Sequence, residues 1–181
     1  MAWTAPMTAV DGAIFTASQF NANIRDNFLE TAPAKATTEG GYFTVNGLNS
    51  IVQRLPGSAN IDALQTTLST TFTDLATVGP TVTVNTGTRA LVVIGSSLTN
   101  GMADGFSIMG VTISGATSIT ATDAKSLNFK QTGTDISQTI QASWVEMYTT
   151  LTPGSNTFTA KYRVTVDTGT FTRRRMIVIP F

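Results

Sequence analysis

The chain contains no cysteine and no histidine among its 181 residues. Without cysteine no disulfide can form, so stability must come from burial or from partner chains. Without histidine the chain lacks the commonest general base, the commonest metal ligand and the usual pH switch. Zinc sites built on cysteine or histidine are therefore excluded, and the sequence predicts neither a metal nor a cofactor.

Charge is also scarce, because charged residues make up only 12% of the sequence and the formal net charge is zero. A neutral chain has no long-range field that would steer it onto nucleic acid or an anionic membrane. No run approaches the roughly 18 apolar residues of a membrane span. The N-terminus has neither a basic start nor an apolar stretch, so no signal peptide is expected and the chain should be made in a cytoplasm. Neither nucleic acid nor a membrane is an expected partner.

The eleven acidic residues are scattered, and no two stand at the spacing of a catalytic pair or an EF-hand loop. There is no Gly-x-Ser-x-Gly elbow and no Gly-Lys-Ser/Thr loop that would cradle a phosphate. The glycine-rich run Asn100–Gly105 is better interpreted as a loop between strands. The sequence thus predicts a protein that is not an enzyme.

Threonine is abundant, with 34 residues, and hydrophobic residues make up 41% of the chain. Threonine is β-branched and fits the pleated surface of a sheet, so this composition favours β structure. Residues 1–65 mix short apolar stretches with glycine, asparagine and proline, whereas residues 66–181 alternate polar and apolar side chains between turn signals. We expect an N-terminal arm followed by a β domain.

One short helix is predicted in the arm, over about residues 16–30. Thr16 and Gln19 have the spacing of a capping box, in which each side chain bonds the backbone N–H of the other residue. Pro33 should end the helix, because the residue before a proline is biased away from the helical conformation.

The helix carries a narrow apolar stripe that must bury against something, because so short a helix is marginal in water by itself. Phe20, Ile24 and Phe28 form the stripe, and Phe15 pairs with Phe20 as a hydrophobic staple. Together with Trp3, these side chains either pack under the β domain of the same chain or act as apolar anchors in a partner protein. The proline-punctuated arm suits a segment that becomes ordered on binding.

Two short strands are predicted after the helix, Tyr42–Val45 and Ser50–Arg54, on either side of a turn at Asn46–Asn49. Glycine and proline pairs bound them on both sides. They predict a small hairpin or an extended arm, not a domain.

About eight strands are predicted in the β domain. Residues 157–166 alternate strictly between apolar and polar side chains, as a half-buried strand does. Ala90–Ile94 is apolar on both faces and belongs at the centre of a sheet or against a partner. Met109-Gly110 separates apolar residues of opposite parity, which predicts a β-bulge. Regular turn signals indicate a mainly β chain with an antiparallel, jelly-roll-like β-sandwich, although periodicity leaves an immunoglobulin-like order open.

Arg173-Arg174-Arg175 is the one run of like charge. Three consecutive strand residues cannot all face water, and with Phe171 inward a regular strand would turn Arg173 and Arg175 inward too. Either the strand has a bulge there, or the arginines lie at a subunit interface and pair with carboxylates such as Glu146. Two other interpretations stay open: a strand whose outward-facing arginines are solvated, and a contact with nucleic acid.

The aromatic residues do not cluster on one predicted exposed face. A carbohydrate site built on Tyr42, Trp144, Tyr148 or Tyr162 is therefore not expected. Trp144 lies in mid-strand and is expected in the core.

Several stretches near the two ends of the chain look familiar. At the N-terminal end they are Trp3, Pro6, Thr8, Val10, Gly12, Phe15–Asn21, Ile24–Asn27, Glu30–Thr38 and Asn49–Arg54. At the C-terminal end they are Trp144–Glu146, Leu151–Arg163 and Arg175–Pro180. In these stretches the chain resembles structural virion proteins of actinobacterial tailed phages, whereas residues 60–140 carry none of the likeness.

Members of that group are described as minor tail, head-fibre or capsid decoration proteins. The resemblance therefore implies a virion component that docks through its N-terminal segment, projects its β domain and forms a homotrimer, with the major capsid protein or tail proteins as partners. No heptad or Gly-x-y repeat is present to build a fibre shaft, which favours a capsid decoration or head-fibre protein. A minor tail protein whose β domain binds host glycan is the alternative, and a tail glycan hydrolase is a third hypothesis.

Overall fold

The computed structural model of the chain describes residues 4–5, 7–8, 10–132 and 138–181. The chain divides into two compact units, Met1–Leu55 with Phe181, and Pro56–Pro180. The division falls earlier than the expected boundary near residue 65. The reason is that Gly57–Ile61 forms a strand that pairs with the last strand of the chain.

The first unit contains a helix in three successive segments: α1 (Ala17–Phe20), a π-helical turn (Asn21–Arg25) and α2 (Asp26–Leu29). The Thr16 hydroxyl accepts a hydrogen bond from the Gln19 N–H at 3.2 Å, and Gln19 Oε1 accepts one from the Thr16 N–H at 2.9 Å. The predicted helix and its capping box are therefore confirmed, with a π turn that no sequence signal announced.

Beyond this helix the first unit has a short helical turn and a hairpin. In α3 (Ala32–Lys35), Thr31 is extended and Pro33 stands in the first turn, so Pro33 helps to start a turn instead of ending the longer helix. A proline suits that position because its missing N–H has no partner there. The strands β1 (Tyr42–Gly47) and β2 (Ser50–Arg54) pair antiparallel, which confirms the predicted hairpin.

The described residues of the second unit form nine strands arranged in two antiparallel sheets. The strands are β3 (Gly57–Ile61), β4 (Gln65–Thr67), β5 (Thr81–Thr86), β6 (Ala90–Asn100), β7 (Phe106–Gly115), β8 (Ser126–Lys130), β9 (Ile140–Tyr148), β10 (Gly154–Val164) and β11 (Gly169–Pro180). Sheet I has the order β3-β11-β6-β9, with β4 also paired to β11, and sheet II has the order β5-β10-β7-β8.

The strand pairing is nested. β3 and β4 pair with β11, β5 with β10, β6 with β9, and β7 with β8. A long hairpin whose successive pairs alternate between two sheets is a jelly roll. The prediction of a mainly β, jelly-roll-like sandwich is confirmed, and the nested order decides against the immunoglobulin-like alternative.

The core lies between the two sheets. Its side chains with no measurable exposure include Leu98, Met109, Phe158, Tyr162, Phe171, Met176 and Val178. As predicted, Ala90–Ile94 occupies a central strand, because β6 lies between β11 and β9.

The predicted bulge at Met109-Gly110 is wrong. β7 keeps a continuous register with both neighbours through these residues. Met109 packs in the core, while a Cβ placed on Gly110 would lie 2.9 Å from the Phe72 ring, so both faces of β7 are covered. A strand covered on both faces can carry apolar residues at both parities without any irregularity.

The arginine run does contain a bulge. The register between β11 and β6 shifts between Thr172 and Arg175, and Arg173 has a φ of +51°. The extra residue reverses the alternation, so Phe171 and Arg174 both face inward, whereas Arg173 and Arg175 are exposed.

Candidate functional site

The first unit has no buried apolar side chain among its described residues, and its one buried side chain is Asn27. Most of its large apolar side chains are exposed instead. They are Met7, Val10, Ile14, Phe15, Phe20, Ile24, Phe28, Leu29, Phe43, Val45, Leu48 and Leu55, joined by Phe181. Short helices and a two-stranded hairpin are marginal without a core, so this unit gains stability from any surface that covers it.

Four of the five predicted docking residues lie on this exposed surface. Phe15 is 48% exposed, Phe20 47%, Ile24 37% and Phe28 68%. The fifth, Trp3, lies outside the described residues. Phe15 and Phe20 meet edge to face with their ring centroids 6.1 Å apart, which is the predicted staple.

The π-helical turn affects how the stripe is aligned. An α-helix has 3.6 residues per turn, so side chains four residues apart drift around its axis. A π turn is wider, since its hydrogen bonds span five residues, so the spacing of Phe20, Ile24 and Phe28 around the axis departs from that of a regular α-helix.

Asn27 ties the start of the chain to the helix. Its Oδ1 accepts a hydrogen bond from the Thr4 N–H at 2.9 Å, and its Nδ2 donates to Thr4 O and Asn23 O, each at 3.0 Å. Sequence reasoning missed this residue, because an asparagine beside an apolar stripe looks like a solvated side chain. The Asn27 side-chain amide thus holds the backbone of Thr4 against the helix.

Lys35 joins the short helical turn to the hairpin. Its ammonium donates to the Glu30 carboxylate and, at 2.6 Å, to Ile51 O. The same ammonium holds the pKa of Glu30 below its ordinary value. The elements of the first unit are therefore linked by polar contacts instead of an apolar core.

In the second unit, the three residues predicted at a subunit interface either have partners within the chain or lie exposed on the surface. Arg175 pairs with Asp62 at 2.7 Å, and Glu146 pairs with Lys125 at 3.2 Å. Arg173 is exposed. Within one chain the structure does not bring either arginine to Glu146, and their pairing between copies stays a prediction.

Arg174 is the residue of this run that sequence reasoning missed. It is fully buried, and its guanidinium donates to Thr77 O at 3.2 Å, Gly79 O at 3.3 Å and Gln65 Oε1 at 3.0 Å. It also lies over the Tyr162 ring, 5.5 Å from the centroid. No carboxylate of the described residues is within ion-pair distance of it. Backbone carbonyls of the connection between β4 and β5 thus take the place of a counter-ion.

The Tyr162 hydroxyl completes this cluster by donating to Gly79 O at 2.8 Å. Burial raises the pKa of Tyr162 well above its ordinary value, so the hydroxyl remains a donor.

Sheet I carries an apolar patch on its outer face. Val93 lies in register with Val145 of β9 and with Ile177 of β11, on the face opposite the buried Val92 and Ile94. Val145 is 53% exposed and Ile177 43%. This face ends at the β9 edge of the sheet.

Two of the residues considered for a carbohydrate site, Tyr148 and Tyr162, are buried in the core of the second unit. Trp144, expected in the core, is 39% exposed because β9 is the edge strand of its sheet.

The described part of the chain holds no cluster of three acidic, histidine or cysteine side chains able to bind a metal ion. Nor does any helix within residues 10–132 or 138–181 have the length and apolar character needed to cross a membrane.

These features define a jelly-roll protein with a separate N-terminal unit whose surface is apolar. No protein-family model and no curated protein sequence matches the chain. Among solved structures, a chain in the structure of infectious bursal disease virus Gx strain aligns with 74% of this chain, with a TM-score of 0.40 and 9% sequence identity. The alignment spans 34% of that viral chain, and a likeness at this level carries no functional argument.

Proposed function

We propose that the chain is a structural component of a bacteriophage virion, a capsid decoration or head-fibre protein that docks through its first unit. The observation that carries the proposal is the surface of that unit, which exposes most of its large apolar side chains and fully buries none among its described residues. The resemblance of both chain ends to phage structural proteins supports a virion as the setting. The jelly roll has a hydrophobic core of its own.

Docking would bury Phe15, Phe20, Ile24 and Phe28 against a partner such as the major capsid protein. Fully burying one such side chain contributes about 1.5–3 kcal/mol, so a few anchors suffice for firm binding. The unit has few charges, so attachment should depend weakly on salt, unlike attachment through ion pairs.

A binding assay on particles tests this proposal. Particles of the encoding phage, assembled without this chain, are mixed with the purified full chain and sedimented. The variant Phe20→Ser/Phe28→Ser should bind at least about tenfold more weakly than the wild-type chain, because two apolar anchors are lost. Met102→Ser, which removes a similarly exposed apolar side chain from a loop of the second unit, should bind like the wild type. Unchanged binding of the double variant would refute the docking assignment.

The host-glycan alternative needs an aromatic platform on the jelly roll. Among the described residues of the second unit, Trp144 alone is an aromatic side chain more than a third exposed. Cryo-electron microscopy of intact virions separates the two functions. Density for this chain repeated over the capsid lattice supports decoration, whereas density at the tail tip alone favours host recognition.

A further inference from the structure

The edges of the sandwich are unequally protected against pairing with another strand. One edge of sheet I is divided between β3 and β4, which have five and three residues. The edges of sheet II are β5, with six residues, and β8, with five. The remaining edge, β9, has nine residues. Short edge strands are one of the ways in which proteins prevent edge-to-edge association, and β9 departs from that pattern.

β9 also has few of the other protective features. It contains no proline and no lysine, and its register with β6 runs from Ile140 to Tyr148 without a bulge. Its one charged side chain, Glu146, is engaged by Lys125. At roughly 3.4 Å per residue, the strand offers an edge about 30 Å long. In the part of the chain that the structure describes, no strand pairs with its outer side.

Apolar side chains flank this edge on both faces of the sheet. On the outer face Val145 is 53% exposed and Met147 42%, and the face continues to Ile177. On the other face Ile140 is 41% exposed and Trp144 39%. A long, regular edge strand with such flanks tends to associate unless a partner covers it.

We propose that β9 pairs antiparallel with β9 of a second copy of this chain, joining the two copies of sheet I into one continuous sheet across a two-fold axis. The β9 edge of the second copy is equally long and equally unprotected. Each copy can therefore supply the paired strand that the outer edge of β9 lacks in the other copy.

Charge selects the antiparallel arrangement. An in-register parallel pair would set Glu146 opposite Glu146 of the second copy, which is destabilising. In an antiparallel pair centred on Trp144, Glu146 faces Ala142 of the second copy and Val145 faces Ser143. No like charges are then opposed.

Sedimentation velocity of the full chain over a range of concentrations tests the proposal. The wild-type chain should form a reversible dimer. The variant Val145→Lys/Met147→Lys places charges along the edge and should raise the dissociation constant at least about tenfold. Val166→Lys, at a 40% exposed position in the turn after β10, should leave the dimer unchanged.

The docking proposal and this one fail independently. The docking variant Phe20→Ser/Phe28→Ser should remain dimeric, because it leaves β9 intact. A wild-type monomer at every concentration overturns the β9 pairing, and so does a dimer that the lysine variant leaves intact. A trimer, as expected from the family resemblance, also overturns it, because a two-fold contact cannot close at three copies.

Hydrogen exchange of the wild-type chain gives a second measurement that does not depend on the variant folding. Amides of Ile140–Tyr148 should become more protected as concentration rises, whereas amides of β8, an edge strand of sheet II, should not change. Protection of β9 that is independent of concentration contradicts the pairing.

Discussion

Arg174 determines how the last strand of the chain is built. Its guanidinium is fully buried, so its N–H groups need acceptors from the protein. The carbonyls of Thr77 and Gly79 and the amide oxygen of Gln65 supply them. The bulge at Arg173, which has a left-handed backbone conformation, turns Arg174 inward. The buried polar cluster around Arg174 therefore depends on the conformation of its exposed neighbour.

Replacing Arg174 should therefore destabilise the sandwich far more than replacing its neighbour. Arg174→Ala removes three hydrogen bonds and opens a cavity, which should lower the free energy of unfolding by about 3 kcal/mol or more. Arg174→Met refills most of the volume and should lose less. Arg173→Ala, at an exposed position, should change stability by no more than about 0.5 kcal/mol. Urea denaturation of the three variants checks this order, and equal effects of Arg174→Ala and Arg173→Ala would contradict it.

Tyr148 should make the sandwich sensitive to high pH. Burial, with a smaller contribution from the Glu146 carboxylate, raises the pKa of Tyr148 to about 12, whereas an unfolded tyrosine titrates near 10. Above about pH 10 the unfolded chain loses a proton that the folded chain keeps. The free energy of unfolding should therefore be unaffected below that pH and fall between about pH 10 and 12, by about 2–3 kcal/mol for this group.

Tyr148→Phe removes this titration and should flatten part of the alkaline decline, with Tyr162 accounting for much of the rest. Urea denaturation at a series of pH values measures the slope. A slope that is the same in Tyr148→Phe and in the wild type would show that Tyr148 titrates normally in the folded chain.

Residues whose roles depend on sequence neighbours were predictable. Thr16 and Gln19 form their capping box within one turn, so local spacing was enough. Asn27 and Arg174 act on backbone 23 and about 95 residues away, respectively, and no local pattern encodes such partners. Long-range polar contacts are the part of the site that the sequence could not supply.

Among the elements, β7 is the strand whose environment differs most from the prediction. Alternation predicts a strand and its two faces, but it does not say what lies over the outer face. Phe72 covers that face at Gly110, so apolar residues stand at both parities. The opposite difference occurs at β9. The pattern predicts that Trp144 is buried in the core, but Trp144 is exposed because β9 is an edge strand.

The close approach of Phe72 to β7 can be tested with a double-mutant cycle. A Cβ on Gly110 would lie 2.9 Å from Phe72 Cε1 and 3.1 Å from Ala121 Cβ, so Gly110→Ala should cost about 1–3 kcal/mol through overpacking. Phe72→Leu makes room at the ring, and the cost of the double variant should be smaller than the sum of the two single costs. Additive costs, measured by urea denaturation, would mean that Phe72 does not pack on Gly110.

For the whole molecule, the number of strands and the spacing of turns limited the fold to a sandwich. They did not decide the order of the strands, because that order depends on the first strands of the sandwich pairing with the last, more than 100 residues later. The pairing of Ile61 with Arg174 is one such contact. It also explains why the second unit begins before residue 65, since the segment around Gly57 was needed to complete sheet I.

The two units should differ greatly in stability. Amides of residues 17–29 and of the β1–β2 hairpin should exchange through local opening, because no apolar side chain of the described first unit is buried. Amides of β6, β10 and β11 should exchange only when the sandwich unfolds globally. Hydrogen exchange followed by mass spectrometry measures both sets in one experiment. If docking is the role of the first unit, binding to particles should protect residues 17–29 strongly and leave β10 unchanged. Equal protection of both units in the free chain would mean that the first unit is as stable as the jelly roll. It would then not need a partner to cover its apolar surface.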